Sequence, residues 1–152
     1  MHALCFTHGE ASTLNENHAA LHQARARELR LAARVGAAGL VVFDDTGITG
    51  HPDHQAATRA AVLAAEAARL PVLAWALPET IADRLRDETG EGFRGQPPGR
   101  IDLCIRVDRA RQRRAARMHT SQISPSAVVW RRLQLQGDCE HLRWLLPPRG
   151  GG

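Results

Sequence analysis

The sequence predicts an α/β fold of three layers, α/β/α, in which helices cover both faces of a mostly parallel sheet. Short apolar runs rich in β-branched residues alternate along the chain with longer stretches that have helical periodicity. Alternation of this kind is typical of parallel strands joined by right-handed helical crossovers. The 152 residues, 43% of them hydrophobic, are enough for one core of this kind. We therefore expect one domain over residues 1–146 and a flexible tail over 147–152.

The first half of the chain predicts two strands and two helices. Residues 3–7 form an apolar run typical of a strand, and residues 16–35 predict a helix with an apolar stripe at three- and four-residue steps. Glu28 falls on that stripe, and we expect it to pair with a neighbouring arginine. Residues 39–43 predict a buried strand. An alanine-rich helix follows over residues 52–68, as suits close packing on a sheet.

The second half continues the alternation. Its predicted elements are a strand at 71–76, a short helix at 78–86, a Gly/Pro-rich loop at 89–100 that covers the pocket, a strand at 101–107, a helix capped by Asp108 that runs to about residue 119, and finally a helix plus an edge strand. The order of these elements repeats the strand–helix pattern of the first half.

A cluster of ionisable side chains follows the strand at 39–43. The strand ends at Asp44 and Asp45, a loop with two glycines comes next, and then His51, Asp53 and His54 surround a proline that fits the first position of a helix. Residues three apart share a helix face, and the first turn favours a carboxylate. Because ligands of open α/β sheets bind at the carboxyl ends of strands, this cluster predicts a metal site. The alternative is a pair of surface histidines that only cap a helix.

Three segments carry a resemblance to a known family. Residues 47–57, Gly-Ile-Thr-Gly-His-Pro-Asp-His-Gln-Ala-Ala, resemble a signature of the PIG-L/LmbE-like zinc-dependent N-deacetylases, which act on N-acetylglucosamine conjugates. Residues 7–12, Thr-His-Gly-Glu-Ala-Ser, and residues 114–122, Arg-Ala-Ala-Arg-Met-His-Thr-Ser-Gln, resemble two further segments of that family, in the same order.

The resemblance implies a Rossmann-like fold and a Zn²⁺ cofactor. In it, His54 matches a zinc ligand, His51 matches the histidine that polarises the acyl oxygen, and Asp53 matches the carboxylate that orients that histidine. His119 lies in the third segment, where it shapes the site rather than binding metal. The implied partner is a small glycoconjugate, and its aglycone stays open.

The sequence also departs from the family pattern. The Ala-His-Pro-Asp-Asp-Glu signature, which supplies a histidine ligand, an aspartate ligand and the general base, does not occur in it, so we expect the first strand–helix unit to be missing. A second unit, about 30 residues long, is missing after residue 38. Asp44 and Asp45 are potential substitute ligands. The alternative function is a catalytically inactive remnant that acts as a binding or structural module; a nucleophilic Ser121 is weaker, because no nucleophile-elbow pattern surrounds it.

Composition bounds the remaining questions. The formal charge of +4 comes from arginine alone, spread over several helices, and with 4% aromatic residues the chain offers few base-stacking platforms, so nucleic acid is not the expected partner. No apolar run predicts a membrane span or a signal peptide, which favours a cytoplasmic location. Of Cys5, Cys104 and Cys139, two lie in apolar runs and predict buried thiols rather than a disulfide. An uncovered sheet edge predicts self-association into a homo-oligomer.

Overall fold

The computed structural model describes residues 18–118 and 128–149, and it describes side chains from residue 25 onward. The strand predicted at residues 3–7, the segment at residues 7–12 and Cys5 lie outside the described residues. So do His119 and Ser121, together with residues 150–152 of the predicted tail.

The α/β fold class is confirmed. The elements are α1 (His18–Val35), β1 (Leu40–Phe43), α2 (Gly47–Gly50), α3 (Pro52–Ala68), β2 (Val72–Ala76), α4 (Glu79–Thr89), a 3₁₀ turn (Pro98–Arg100), β3 (Leu103–Arg106), α5 (Arg109–Arg117), α6 (Val128–Leu135) and β4 (Cys139–Leu146). The helical turn α2 replaces part of the loop expected before α3, and α4 extends three residues beyond its predicted end. None of these described helices is both long and apolar enough to cross a bilayer.

The sheet differs from the expected one in its strand pairing. Its order is β1-β2-β4-β3, with β1 and β2 parallel and with β4 antiparallel to both of its neighbours. Strands β1, β2 and β3 therefore point the same way, as predicted, but the expectation of a mostly parallel sheet is wrong for the described strands. The last strand was expected at an edge and instead lies between β2 and β3. It can do so because its charged Arg143, only 5% exposed, is paired inside the fold.

Small side chains bring α3 close to the sheet. On β2, Val72, Ala74 and Ala76 are fully buried, while the alternate residues are only half-buried. Helix α3 buries alanines toward the sheet, and α1 packs on α3. This close packing holds the first turn of α3 next to the end of β1, where the histidines lie.

The prediction of unpaired cysteine thiols is wrong for two of the three cysteines. Cys104 of β3 and Cys139 of β4 form a disulfide, with their Cα atoms 5.6 Å apart. Cys104 is exposed rather than buried. The residues are separated by 35 positions in sequence, and only the pairing of β3 with β4 brings them together.

Candidate active site

The turn between β1 and α3 has a constrained backbone. Gly47 and Ile48 both have positive φ, +71° and +67°, and such a φ is unusual for a β-branched residue. Thr46 caps the turn, since its hydroxyl accepts a hydrogen bond from the Ile48 N–H at 3.3 Å. The Ile48 side chain is 4% exposed and packs in a cluster with Leu77 and Phe93. Burial of that side chain holds the strained backbone in place.

This turn determines which nitrogen of His54 carries the proton. The Nδ1 atom of His54 lies 3.1 Å from the Gly47 carbonyl oxygen. A carbonyl can only accept, so in the neutral ring Nδ1 carries the hydrogen and Nε2 has the lone pair. A backbone carbonyl on one ring nitrogen is the arrangement that orients histidine ligands of metals.

His51 has the opposite tautomer. It is the N-cap residue of α3, and its Nδ1 accepts a hydrogen bond from the Asp53 N–H at 3.2 Å. Its Nε2 therefore carries the hydrogen of the neutral ring. The centroids of the His51 and His54 rings are 5.0 Å apart. The structure thus brings the two imidazole rings together, as their three-residue spacing predicts. The backbone of Asp53, rather than its carboxylate, makes the bond that orients His51.

An apolar cavity adjoins the histidine pair. It has a volume of about 330 Å³, and its walls include Phe43, Trp75, Thr58 and Glu28. Phe43 is shared by the two features, because its ring stacks on His54 with centroids 4.1 Å apart. A cavity of this size suits a small ligand.

Glu28 lies in this region, and the ion pair that the sequence predicts for it is wrong for the described residues. No ion pair to a neighbouring arginine forms among the described residues; its Oε2 is buried there without a hydrogen-bond partner. Burial raises the pKa of Glu28 to about 7. Perturbed carboxyls in cavities are frequent at functional sites. The position of a glutamate on the apolar stripe of α1 was the signal available in the sequence.

Asp44 and Asp45 are engaged by Arg143 instead of facing the histidines as substitute ligands. Asp44 is 1% exposed; its Oδ1 accepts from Arg143 Nε, and its Oδ2 accepts from Gln96 Nε2 at 2.8 Å. Asp45 Oδ1 accepts from Arg143 Nη2 at 2.6 Å. Burial alone would raise the pKa of Asp44, but the hydrogen bonds from Gln96, Arg143 and Thr46 and the charge of Arg143 together lower it.

The Gly/Pro-rich loop docks on the turn that carries the histidines. The Arg94 N–H donates to the Ile48 carbonyl at 2.6 Å, and Gln96 reaches Asp44. The Arg94 guanidinium lies beside Gly50, where an added Cβ would be 3.4 Å from its Nε. The loop therefore places the Arg94 guanidinium beside Gly50, the residue that precedes His51. A guanidinium in this place could hold a hydroxyl or an anionic group.

The fold resembles those of two solved deacetylases. The antimicrobial A40926 pseudoaglycone deacetylase Dbv21 aligns with a TM-score of 0.62 and 18% identity, over 90% of this chain and 60% of that one. A deacetylase solved in complex with teicoplanin, from the teicoplanin biosynthesis pathway, aligns with a TM-score of 0.60 and 17% identity, over 92% of this chain and 55% of that one. The chain thus spans little more than half the length of each. At these identities the likeness shows the fold. The sequence matches no family model and no curated protein.

Proposed function

We propose that this chain is a zinc-dependent N-deacetylase that acts on N-acetylglucosamine conjugates, and that the described residues hold part of its site. The observation that supports it most directly is a pair of backbone contacts: the Gly47 carbonyl lies at His54 Nδ1 and the Asp53 N–H lies at His51 Nδ1, which assigns opposite neutral tautomers to the two rings. The likeness to two deacetylase folds and the three family-like segments of the sequence agree with this assignment.

The donor set fits zinc in part. The Nε2 of His54 is an unprotonated imidazole nitrogen, which zinc favours, and its Nδ1 bond to a carbonyl is the usual support for such a ligand. A catalytic zinc normally has three protein ligands, and the described residues bring no group of three around His54. When bound, the metal would supply Lewis-acid activation of water for attack on the amide.

The chain's own residues supply the other functions in this proposal. The Nε2–H of His51 donates a hydrogen bond to the acyl oxygen as negative charge develops there. The cavity holds the sugar against Phe43 and Trp75, and the Glu28 carboxyl hydrogen bonds to a hydroxyl group. Arg94 contacts the aglycone side. The cytoplasm remains the expected location.

One observation favours the second candidate, a catalytically inactive module of the same ancestry. Both aspartates that follow β1 are bound to Arg143, so neither completes a ligand set at His54 among the described residues. In such a module the cavity would still bind a glycoconjugate, but no acetate would be released.

The experiment measures zinc content and acetate release with the disulfide intact, so that its cysteines cannot bind metal. The substrates are N-acetylglucosamine conjugates and the A40926 pseudoaglycone, which appears in the name of the deacetylase Dbv21. We expect about one zinc per chain and acetate release. His54→Ala should lose both, His51→Ala should keep zinc and lose most turnover, and the control His141→Ala should keep both. Zinc far below one per chain with no acetate would refute the deacetylase and favour the inactive module.

A further inference from the structure

Two cysteines and a histidine lie together on one face of the β3–β4 pair. None of the three belongs to the turn between β1 and α3 or to the walls of the cavity. Cys104 stands opposite His141 in the strand register, and Cys139 is two residues before His141 on β4. Residues two apart on a strand point to the same face, so the three side chains meet. The two sulfurs and a ring nitrogen of His141 all lie within 4.8 Å of one another.

We propose that, once the disulfide is reduced, Cys104, Cys139 and His141 bind a zinc ion through two thiolates and one imidazole. The three protein ligands leave a fourth position for water. The site is separate from the histidine pair at the start of α3, and its existence does not depend on the proposed deacetylase function.

The spacing of the ligand atoms fits tetrahedral zinc. Bonds of about 2.3 Å to sulfur and about 2.0 Å to nitrogen at the tetrahedral angle put neighbouring ligand atoms about 3.5 to 3.8 Å apart. Cys139 Sγ lies 3.5 Å from His141 Nε2. Breaking the sulfur–sulfur bond lets the two sulfurs separate to the distance that a bound ion needs, with both strands still paired by their backbones.

The surroundings leave these ligands available. His141 Nδ1 is buried and has no hydrogen-bond partner among the described residues, so no other protein group there competes for the ring. Glu140, between the two β4 ligands, points to the opposite face, where it binds Arg109 and Trp75. Two thiolates already balance the charge of a divalent zinc ion, so no carboxylate is required.

Access to the site comes from the edge of the described sheet. β3 pairs only with β4 in that sheet, and Cys104 on β3 is exposed. A reductant can therefore reach the disulfide. A phosphine with one water converts the disulfide to two thiols and is itself oxidised to the phosphine oxide; the two thiols then lose two protons as the metal binds. In a reducing compartment, paired thiols of this kind more often bind metal than form a disulfide.

The test uses cobalt as a spectroscopic probe in a Cys5→Ser protein, which removes the third thiol. The protein is reduced with a phosphine, freed of it without air, and titrated with Co²⁺. We expect a sulfur-to-cobalt charge-transfer band that saturates at about one ion per chain. The oxidised protein, which has the same sequence, should show no such band. That comparison needs no substitution at the site and stands even where a variant fails to fold.

Variants identify the ligands. Cys104→Ser and Cys139→Ser should each remove most of the band, and His141→Ala should weaken cobalt binding about tenfold or more. His54→Ala should leave the band unchanged, because the histidine pair has no sulfur ligand. Failure of the reduced protein to develop the band would overturn the proposal and leave the cysteines as a structural disulfide only. An unchanged affinity in His141→Ala would overturn the role of the histidine.

Discussion

Arg143 binds both of the aspartates that follow β1. Its side chain is 6% exposed, and it binds the 1% exposed carboxylate of Asp44 together with the more exposed carboxylate of Asp45. A buried charge left without its partner is strongly destabilising, whereas the intact pair need not be. The interaction therefore fixes the turn after β1 to the interior strand β4.

Replacing Arg143 tests this arrangement. We expect Arg143→Met to lower the free energy of unfolding by about 3 to 5 kcal/mol, because it leaves the Asp44 carboxylate buried and unpaired. The measurement is urea denaturation at neutral pH. The control is Arg106→Met, which breaks an ion pair whose partners are 87% and 65% exposed, and it should cost less than about 1 kcal/mol. Equal losses in the two variants would contradict a buried, structural role for Arg143.

Glu28 gives a prediction about pH. Burial raises its pKa from 4.5 to about 7 in the folded protein, so between these values the folded state holds a proton that the unfolded state has released. Stability then falls as pH rises through this window, and the loss is complete above about pH 7. Glu28→Gln should remove this contribution. The urea midpoint of the variant minus that of the wild type should become more positive between pH 4 and pH 8, because only the wild type loses stability over this range. A difference that stays constant with pH would show that the carboxyl titrates normally.

At the scale of the element, the turn from β1 to α3 determines the orientation of both histidines. The Gly47 carbonyl holds His54, while the N-cap geometry of α3 holds His51. A Cβ at Gly47 would lie 2.9 Å from Gln55 Cγ, and the Gln55 side chain is itself tied to the Thr46 carbonyl at 3.2 Å. A Cβ at this position therefore requires the Gln55 side chain to shift.

Gly47→Ala should destabilise the protein more than the same substitution at a glycine that has the same φ but no neighbouring atom near the added Cβ. Gly90, the C-cap residue of α4, has the same φ of +71° and no atom within 4 Å of an added Cβ, so Gly90→Ala isolates the backbone cost of about 1 to 2 kcal/mol. We expect Gly47→Ala to cost about 1 kcal/mol more than that control in urea unfolding. Zinc retention should fall only in the Gly47 variant, since only that turn carries a histidine contact. Identical behaviour of the two variants would refute the steric argument.

At the scale of the whole molecule, both outer strands of the described sheet expose apolar side chains. Val41 on β1 is 74% exposed and Phe43 is 41% exposed, while Ile105 on β3 is 46% exposed. Exposed apolar edge strands pair readily with other chains. The self-association expected from the sequence therefore remains a prediction, now attached to specific strands.

A charge on β1 should prevent this association. We expect the sedimentation coefficient of the wild type to rise with protein concentration, and Val41→Lys to remain monomeric, because lysine on an edge strand opposes pairing. Leu63→Lys is the control, since Leu63 is also exposed, at 37%, but lies on α3. If Val41→Lys associates as strongly as the wild type, the edge of β1 is not the contact surface.

The sequence by itself determined the features that depend on neighbouring residues. Helix α3 and its cap at His51 followed from a proline at the first helical position, and the proximity of His51 to His54 followed from their spacing. Strands β1 and β2 followed from short apolar runs. Each of these depends on local backbone geometry and periodicity, which a single stretch of chain carries.

The tertiary structure alone decided the features that depend on distant residues. The insertion of β4 between β2 and β3 brought Arg143 to Asp44, 99 positions away, and Cys139 to Cys104. It also made the aspartates after β1 structural partners rather than available ligands. Strand pairing across such separations depends on which surfaces the whole chain can bury together, so the residues of a single stretch do not predict it.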